Sequence, residues 1–535
     1  MVVKQFLNLP TMKFNVMKRL ISLFSLAFML SCGPREFTLP ENVTNVLNKA
    51  GANKSELEKV INHYKETKEV IKEEAAYFLI GNMEDQGYAL YKLLDSTGAG
   101  VDFDVLSFKD YDHLLLGWDS IEKLKGKIDF KLDTLIHDYH TITGDYMIKN
   151  IDLAFEAWDN YPWAKKLSFD QFCEYILPYR STNEPLEDWR TYFMAELEWV
   201  RDSIKDKTDP VEAACLVNDY IKSWFRFDPR YYEHPTDLGL KEMLQNKMGR
   251  CEDMTNIAIY AMRAMGIPVM SDFTPYWANT GNNHAWNAIL DKNDSVIMFM
   301  GGESNPGDYK LGNKLAKVYR KTYAIQEKSL KEKMEEWEKA PKYLNSKSIR
   351  DVTNDYVPVK QVKIELTKGI PDSTNFTYIC VFNSGEWKAI DYTRPYGNKA
   401  SYTKMGMGIA YLPAFYYDEQ IIPAGDAIIL TDSGKIETMK PDAANRLDLK
   451  LYSTTKRVTK ETTDFIEQAE FNVGKSYTLF YWNDKWEKVG NEMATNGPLE
   501  FNNVPSNALY WLVEDGSRKE ERIFTIDETG KQIWW

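Results

Sequence analysis

The stretch that decides the fold is Met248-Gly249-Arg250-Cys251-Glu252-Asp253-Met254-Thr255-Asn256-Ile257-Ala258-Ile259-Tyr260-Ala261-Met262-Arg263-Ala264-Met265-Gly266-Ile267-Pro268-Val269. Gly249 permits a tight turn, and the acids at 252 and 253 favour a helix start. Met254, Ile257, Ala258, Ala261, Met262 and Met265 recur at helical spacing and predict a buried face. Gly266 is a candidate C-cap, and Ile267-Pro268-Val269 opens a turn or strand. Cys251 therefore stands at the N-terminus of a buried helix. There the free N–H groups and the helix dipole favour a thiolate and can hold a developing oxyanion. A free cysteine also fits a buried core thiol. Its place at the head of the helix, with the sequence that follows, favours the nucleophile.

Downstream comes Asn282-Asn283-His284-Ala285-Trp286-Asn287-Ala288-Ile289-Leu290. The alternation from Trp286 onward reads as a strand with His284 at its start. A histidine there can reach a helix N-terminus and act as general base and acid. A third polar group should fix its tautomer. Asp291 falls in the turn 291–295. Glu303 follows the next strand, Val296 to Met300, and a hairpin of the two strands would return it beside His284.

Gly249-x-Cys251-Glu252-Asp253, then Gly266-Ile267-Pro268, then His284-Ala285-Trp286 resembles the transglutaminase-like superfamily over about residues 210–305. That resemblance implies a papain-like α+β core with a Cys–His–Asp triad. Such families include transamidases, peptidases, peptide-glycan amidases and inactive relatives. The usual acid closes a Trp-x-x-x-Asp stretch, whereas Val296–Met300 here is followed by Gly301-Gly302-Glu303. The expected triad is Cys251, His284 and Glu303. Trp286, Tyr179, Arg180 and Trp189 are candidate substrate contacts. The stretch holding Tyr179, Arg180, Glu184, Trp189 and Arg190 fits an inter-domain polar network equally well. Gln171 is a weaker candidate oxyanion donor.

Outward from this core, Lys18-Arg19 and the apolar run Leu20–Leu30 form a charged n-region and a short h-region. The run is about half of the ~20 residues that cross a bilayer. Met29-Leu30-Ser31-Cys32 resembles a loose bacterial lipobox and implies lipidation of Cys32. The other reading is a plain secretory signal with a coincidental cysteine. The expected location is the bacterial cell envelope, lipid-anchored at the outer membrane on its periplasmic or surface side. The build also resembles multidomain transglutaminase-like lipoproteins of gut-type Bacteroidetes, through this lipobox, the Glu174–Arg180 stretch and a Trp-rich C-terminus.

The 535 residues exceed one core. The expected fold is α+β. Residues 1–32 are the signal peptide and 33–207 a helical region, with 34–54 a short tether and helical patterning running on through Leu132–Ile148. Residues 208–350 form the transglutaminase-like core, with helical charge patterning near 325–340. Residues 351–443 and 444–535 form two β-sandwich modules, read from short strand runs broken by Gly, Asn and Asp turns. The net charge is −13, and residues 1–31 hold four basic residues and no acid, so the body is more acidic still. An acidic body argues against nucleic acid as a partner. The five cysteines are scattered, with no CxxC pair, so neither a zinc site nor a disulfide framework is expected. Cys173, Cys215 and Cys380 read as core. Asp133, His137 and His140 read as a solvated helix face and not a metal site. No cofactor is implied. The expected partner is a protein, peptide or glycopeptide substrate, with glycan a further candidate; Ile533-Trp534-Trp535 fits sugar binding or, better, closing a sheet. The alternative to an enzyme is a catalytically idle surface protein that binds glycan or protein through its β modules.

Overall fold

The computed structural model describes residues 38–371, 374–459 and 468–535. The signal segment and Cys32 lie outside the described residues. Among the described residues no helix is long and apolar enough to cross a membrane.

The chain is a mixture of helices and strands around one central helix, Cys251–Ala264. All of its residues except Glu252 are buried. A helix buried on every side must be wrapped by other elements. On one side lie the helices Glu41–Lys49, Lys54–Thr67, Val70–Gly81 and Gly144–Asn160, which share its apolar core. The first of these buries Val43, Val46 and Leu47. Residues 41–49 are thus part of the helical body and not a tether. The helix ends where Gly266 takes a φ of +63° and Ile267 N–H donates to Met262 O at 2.9 Å, closing a left-handed C-cap.

The helical region is interrupted by a hairpin of β1 (Gly87–Leu94) and β2 (Asp129–His137). The expectation of helix through Leu132–Ile148 is corrected here over residues 132–143, and helix begins only at Gly144. Phe130, Leu132, Thr134 and Ile136 alternate along β2, a period-2 signal beneath the charged composition. His137 ends that strand, and His140 lies in the 3₁₀ turn that follows, so neither belongs to a helix face. The patterning near 325–340 likewise yields only the four-residue helix Leu330–Lys333.

After β3 (Arg226–Phe227) and β4 (Met248–Gly249), which pair in parallel, the other side of the central helix is a five-stranded antiparallel sheet. It is built from β5 (Val269–Thr274), β6 (His284–Leu290), β7 (Val296–Phe299), β8 (Tyr319–Lys321) and β9 (Ile349–Asp351). Its order is β7-β6-β5-β8-β9. The β6–β7 hairpin pairs Asn287 with Phe299 and Leu290 with Val296.

Two antiparallel β assemblies follow. In the first, strands Val359–Glu365 and Lys399–Gly406 face a six-stranded sheet across a core that includes Val362, Ile379, Val381 and Tyr402. In the second, Asp442–Leu451 and Leu499–Ser506 face a five-stranded sheet across Leu451, Tyr477, Leu479 and Phe501. The other faces of the large sheets are apolar too. Along Thr377–Asn383 the odd residues Ile379 and Val381 enter the inner core, while Tyr378, Cys380 and Phe382 enter a second cluster. That cluster also takes Trp482, Trp511 and Ile523 from the second assembly and Phe273, Ala285 and Tyr319 from the central sheet. The cysteines Cys173 and Cys380 are buried and Cys215 half-buried, all unpaired.

Candidate active site

Gly249 precedes the helix because nothing larger fits. A Cβ there would lie 2.5 Å from Cβ of Asp253. Asp253 in turn accepts the N–H of Arg250 at 2.9 Å and that of Leu238 at 2.9 Å, clamping the approach to the helix. Burial and the charge of neighbouring Asp237 push the Asp253 carboxyl up to about 7. Arg250 donates to Asp237 at 2.7 Å and to His234 O at 3.1 Å. This frame places the Cys251 thiol, 6% exposed, at the head of the helix.

The thiol donates to Oε2 of Glu252 at 3.0 Å. Burial raises its pKa, and the charge and acceptor of Glu252 raise it further; the backbone N–H of Ala285 and the Arg250 guanidinium act in the opposite direction. Ala285 follows His284 in β6, so the sheet carries the imidazole's own strand to the sulfur. Asn287, two residues further, donates to Thr255 O of the helix at 3.1 Å and accepts Gly301 N–H at 3.2 Å. One buried amide thereby ties strand, helix and the loop after β7 together.

The His284 ring lies near-parallel to Trp277 and Trp286, with centroids 5.7 and 5.9 Å away. Burial lowers its pKa, against a raising effect of Glu252. Its Nε2 is hydrogen-bonded to the hydroxyl of Tyr309 at 2.6 Å. Sequence reading did not single out Tyr309, which lies in a loop with no periodic pattern. Glu303 sits on the tight loop after β7, held where Asn218 accepts Gly302 N–H at 2.7 Å and donates to Met300 O, Ser304 O and Asn305. No hydrogen bond joins Glu303 to His284 among the described residues. Its charge reaches Tyr309, whose own pKa is raised by burial, by Glu303 and by Cys251. Tyr309 thus occupies the position on the imidazole where a third group was expected, with Glu303 close behind it.

A cavity of about 340 Å³ opens beside these groups, lined in part by Glu252, Phe273, Asn283, His284, Ala285 and Tyr343. Trp286 does not line it; its ring is fully buried against Tyr356 at 5.3 Å. Tyr179, Arg180 and Trp189 do not line it either. All three are buried. Arg180 forms a bidentate pair with Asp138 at 2.8 and 2.5 Å, Tyr179 donates to the same carboxylate at 3.0 Å, and Trp189 donates to Tyr179 O at 2.8 Å while stacking on Tyr260 of the central helix. Arg180 also donates to Glu184 O. Glu184 accepts the N–H groups of Ser181 and Thr182, and Ser181 donates to Asn256 at 2.7 Å. Residues 181–183 line the cavity, so the network reaches it through Ser181 and Thr182 while Tyr179, Arg180 and Trp189 stay behind that wall. Gln171 closes the capping box of the helix Phe169–Tyr175 and donates to exposed Asp294, a structural place with no link to the thiol.

Residues 198–298 match the family profile described as the transglutaminase-like superfamily. No curated protein matches the chain. Among solved structures, a proposed cysteine protease from Cytophaga hutchinsonii aligns at 16% identity and a TM-score of 0.17, over 22% of this chain and 44% of that one. The chain thus spans under half the length of that protein. Red sea bream transglutaminase aligns at 10% identity and a TM-score of 0.21, over 84% of this chain and 78% of that one.

Proposed function

Starting from a chain whose residues 198–298 form a transglutaminase-like domain, we propose that it is an exported, lipid-anchored cysteine enzyme that cleaves amide bonds of protein, peptide or glycopeptide substrates through a thioester. The observation that carries this reading is the Cys251 sulfur, at the head of a buried helix, within reach of the Ala285 N–H next to His284. Tyr309 holds Nε2 of the imidazole, which leaves Nδ1 as the base. Nδ1 takes the thiol proton as sulfur attacks the substrate carbonyl. The helix N–H groups receive the oxyanion. Collapse of the tetrahedral adduct breaks the C–N bond, and the imidazolium gives its proton to the departing amine. Water, activated by the same imidazole, then cleaves the thioester and restores the thiol. Water is preferred to an amine as acceptor because it is always present. Glu303 acts through Tyr309, and Cys32 carries the lipid at the outer membrane.

A Cys251→Ala variant is expected to lose hydrolysis of amide substrates, and mass spectrometry of wild-type protein with substrate should detect an acyl adduct on Cys251. Equal activity of the two proteins across a broad amide panel sinks the enzymatic reading. The anchor is checked by partition of the expressed protein into detergent, which Cys32→Ser should abolish. A second reading, an idle core that serves a binding protein, draws on the thiol's bond to Glu252 in place of His284. Ligand binding that survives Cys251→Ala, without any acyl adduct in wild type, favours it.

A further inference from the structure

A second cavity, of about 550 Å³, lies where the two β assemblies meet. Tyr276, Tyr343, Trp387, Tyr416, Trp482 and Trp486 line it. Trp482 meets Trp387 and Trp486 edge to face, with centroids 5.5 and 5.0 Å apart. The rings thus stand as ridges with slots between them, not as a flat floor. Trp387 and Trp482 are each 7% exposed, and neither indole N–H has an acceptor among the described residues. Buried donors are ordinarily satisfied, so two orphans on one floor point to a missing acceptor.

The groove adjoins the active-site cavity. Lys342 and Tyr343 line both. The Tyr343 hydroxyl accepts from Asn283 at 2.5 Å, beside His284 in the chain. Its ring stands edge to face with Tyr276 at 5.3 Å, so one tyrosine is the wall between the two spaces.

The chemistry of the lining selects the occupant. Of its two acids, Glu386 is paired with Lys388 and Glu419 with Lys339. Lys342 and Gln420 also stand at the rim, but the space between the rings is apolar, which suits a ligand that seats side chains there. A sugar ring stacks on one broad flat aromatic face, which rings set edge to face do not offer. An extended peptide with proline or aromatic side chains fills slots between rings and offers unpaired backbone carbonyls. We infer that this groove is a substrate subsite for such a peptide segment, flanking the amide that Cys251 attacks. The inference rests on the amidase reading for what happens next to it, but not for binding itself.

The test uses the full chain carrying Cys251→Ala, so that nothing is turned over. Fluorescein-labelled peptides rich in proline, tyrosine and tryptophan, Gly/Ser peptides of equal length, and cellohexaose and chitohexaose as unlabelled ligands are compared by anisotropy and calorimetry. The proline–aromatic peptides should bind and the Gly/Ser peptides should not. Trp486→Ala, on the second assembly, and Tyr416→Ala, on the first, should each weaken binding at least tenfold, with melting curves confirming that the variants fold. Binding that ignores both substitutions, or that shows no preference over Gly/Ser, overturns the subsite. Hexasaccharide binding lost in Trp486→Ala, without peptide binding, overturns it in favour of a glycan site. Peptide binding at the groove with no turnover in wild type sinks the amidase reading and leaves the subsite standing.

Discussion

At the scale of single residues the site is a competition for protons. The thiol has an acceptor in Glu252, and the imidazole has a partner in Tyr309. Burial raises the first pKa and lowers the second, so both shifts favour a neutral thiol and a neutral imidazole over an ion pair. The thiolate then appears only as pH rises through the raised thiol value. Wild-type alkylation of Cys251 by iodoacetamide should accordingly be slow in mild acid and climb steadily into the alkaline range. Glu252→Gln removes a negative charge and leaves a weaker acceptor, and both changes lower the thiol pKa. Its alkylation profile should move to lower pH. A profile already flat below neutrality, or one that Glu252→Gln leaves in place, sinks this account. Cys251 and His284 were legible because each sits in a local pattern, a helix start and a strand start. Tyr309 was not, because its relation to His284 exists only after the loop beyond β7 is folded. Tyr179, Arg180 and Trp189 are as polar and aromatic as cleft residues, and sequence alone could not tell a cleft lining from the buried clamp that holds its rim.

Among elements, the decisive contact is between the loop after β7 and the central helix. A Cβ at Gly301 would lie 2.3 Å from Met254 O and 2.7 Å from the Ala258 side chain. The obstacle is helix backbone, which cannot swing aside. Gly301→Ala should destabilise the protein by about 3 kcal/mol and also slow turnover, because the displaced loop carries Glu303 and leads to Tyr309. Asn287→Ala offers a comparison, since it cuts the same junction without adding volume. Chemical denaturation of the two variants checks the point; a Gly301→Ala protein as stable as wild type refutes the packing argument. The central helix, its C-cap and the β6–β7 hairpin could be read from sequence because local signals and tertiary demand agree there. The hairpin of β1 and β2 could not. Leu90, Leu132 and Leu135 are 44%, 56% and 51% exposed, so its alternation does not separate a buried face from a wet one, and a Lys- and Glu-rich neighbourhood favoured helix.

For the molecule as a whole, the question is whether the β assemblies are beads on a chain or part of one body. Turn spacing revealed strands in two sets, but it could not reveal that both large sheets use their second faces on each other and on the central sheet. Arg522 sits at that junction. Buried almost completely, it donates to Trp535 O at 3.0 Å in its own assembly, to Phe382 O at 2.6 Å in the first, and to Ala278 O at 2.6 Å in the segment between β5 and β6. Among the described residues no carboxylate pairs with it. Its charge is held by backbone carbonyls and by the face of the Phe382 ring, 5.7 Å away, and burial lowers its pKa to about 9. Arg522→Met keeps much of the volume and leaves three carbonyls without their donor, at a cost of at least about 3 kcal/mol. Two of the three bonds cross between units, so most of that loss falls on their contact. Calorimetry of the wild type should therefore give a single transition, whereas Arg522→Met should melt in two steps, the 442–535 sheets first. Two steps already present in wild type, or one unshifted step in the variant, contradict the idea of a shared core. The same coupling bears on function, since the aromatic groove exists only while the two assemblies stay docked: Arg522→Met should lose peptide binding at the temperature of its first transition, before the Cys251 helix unfolds.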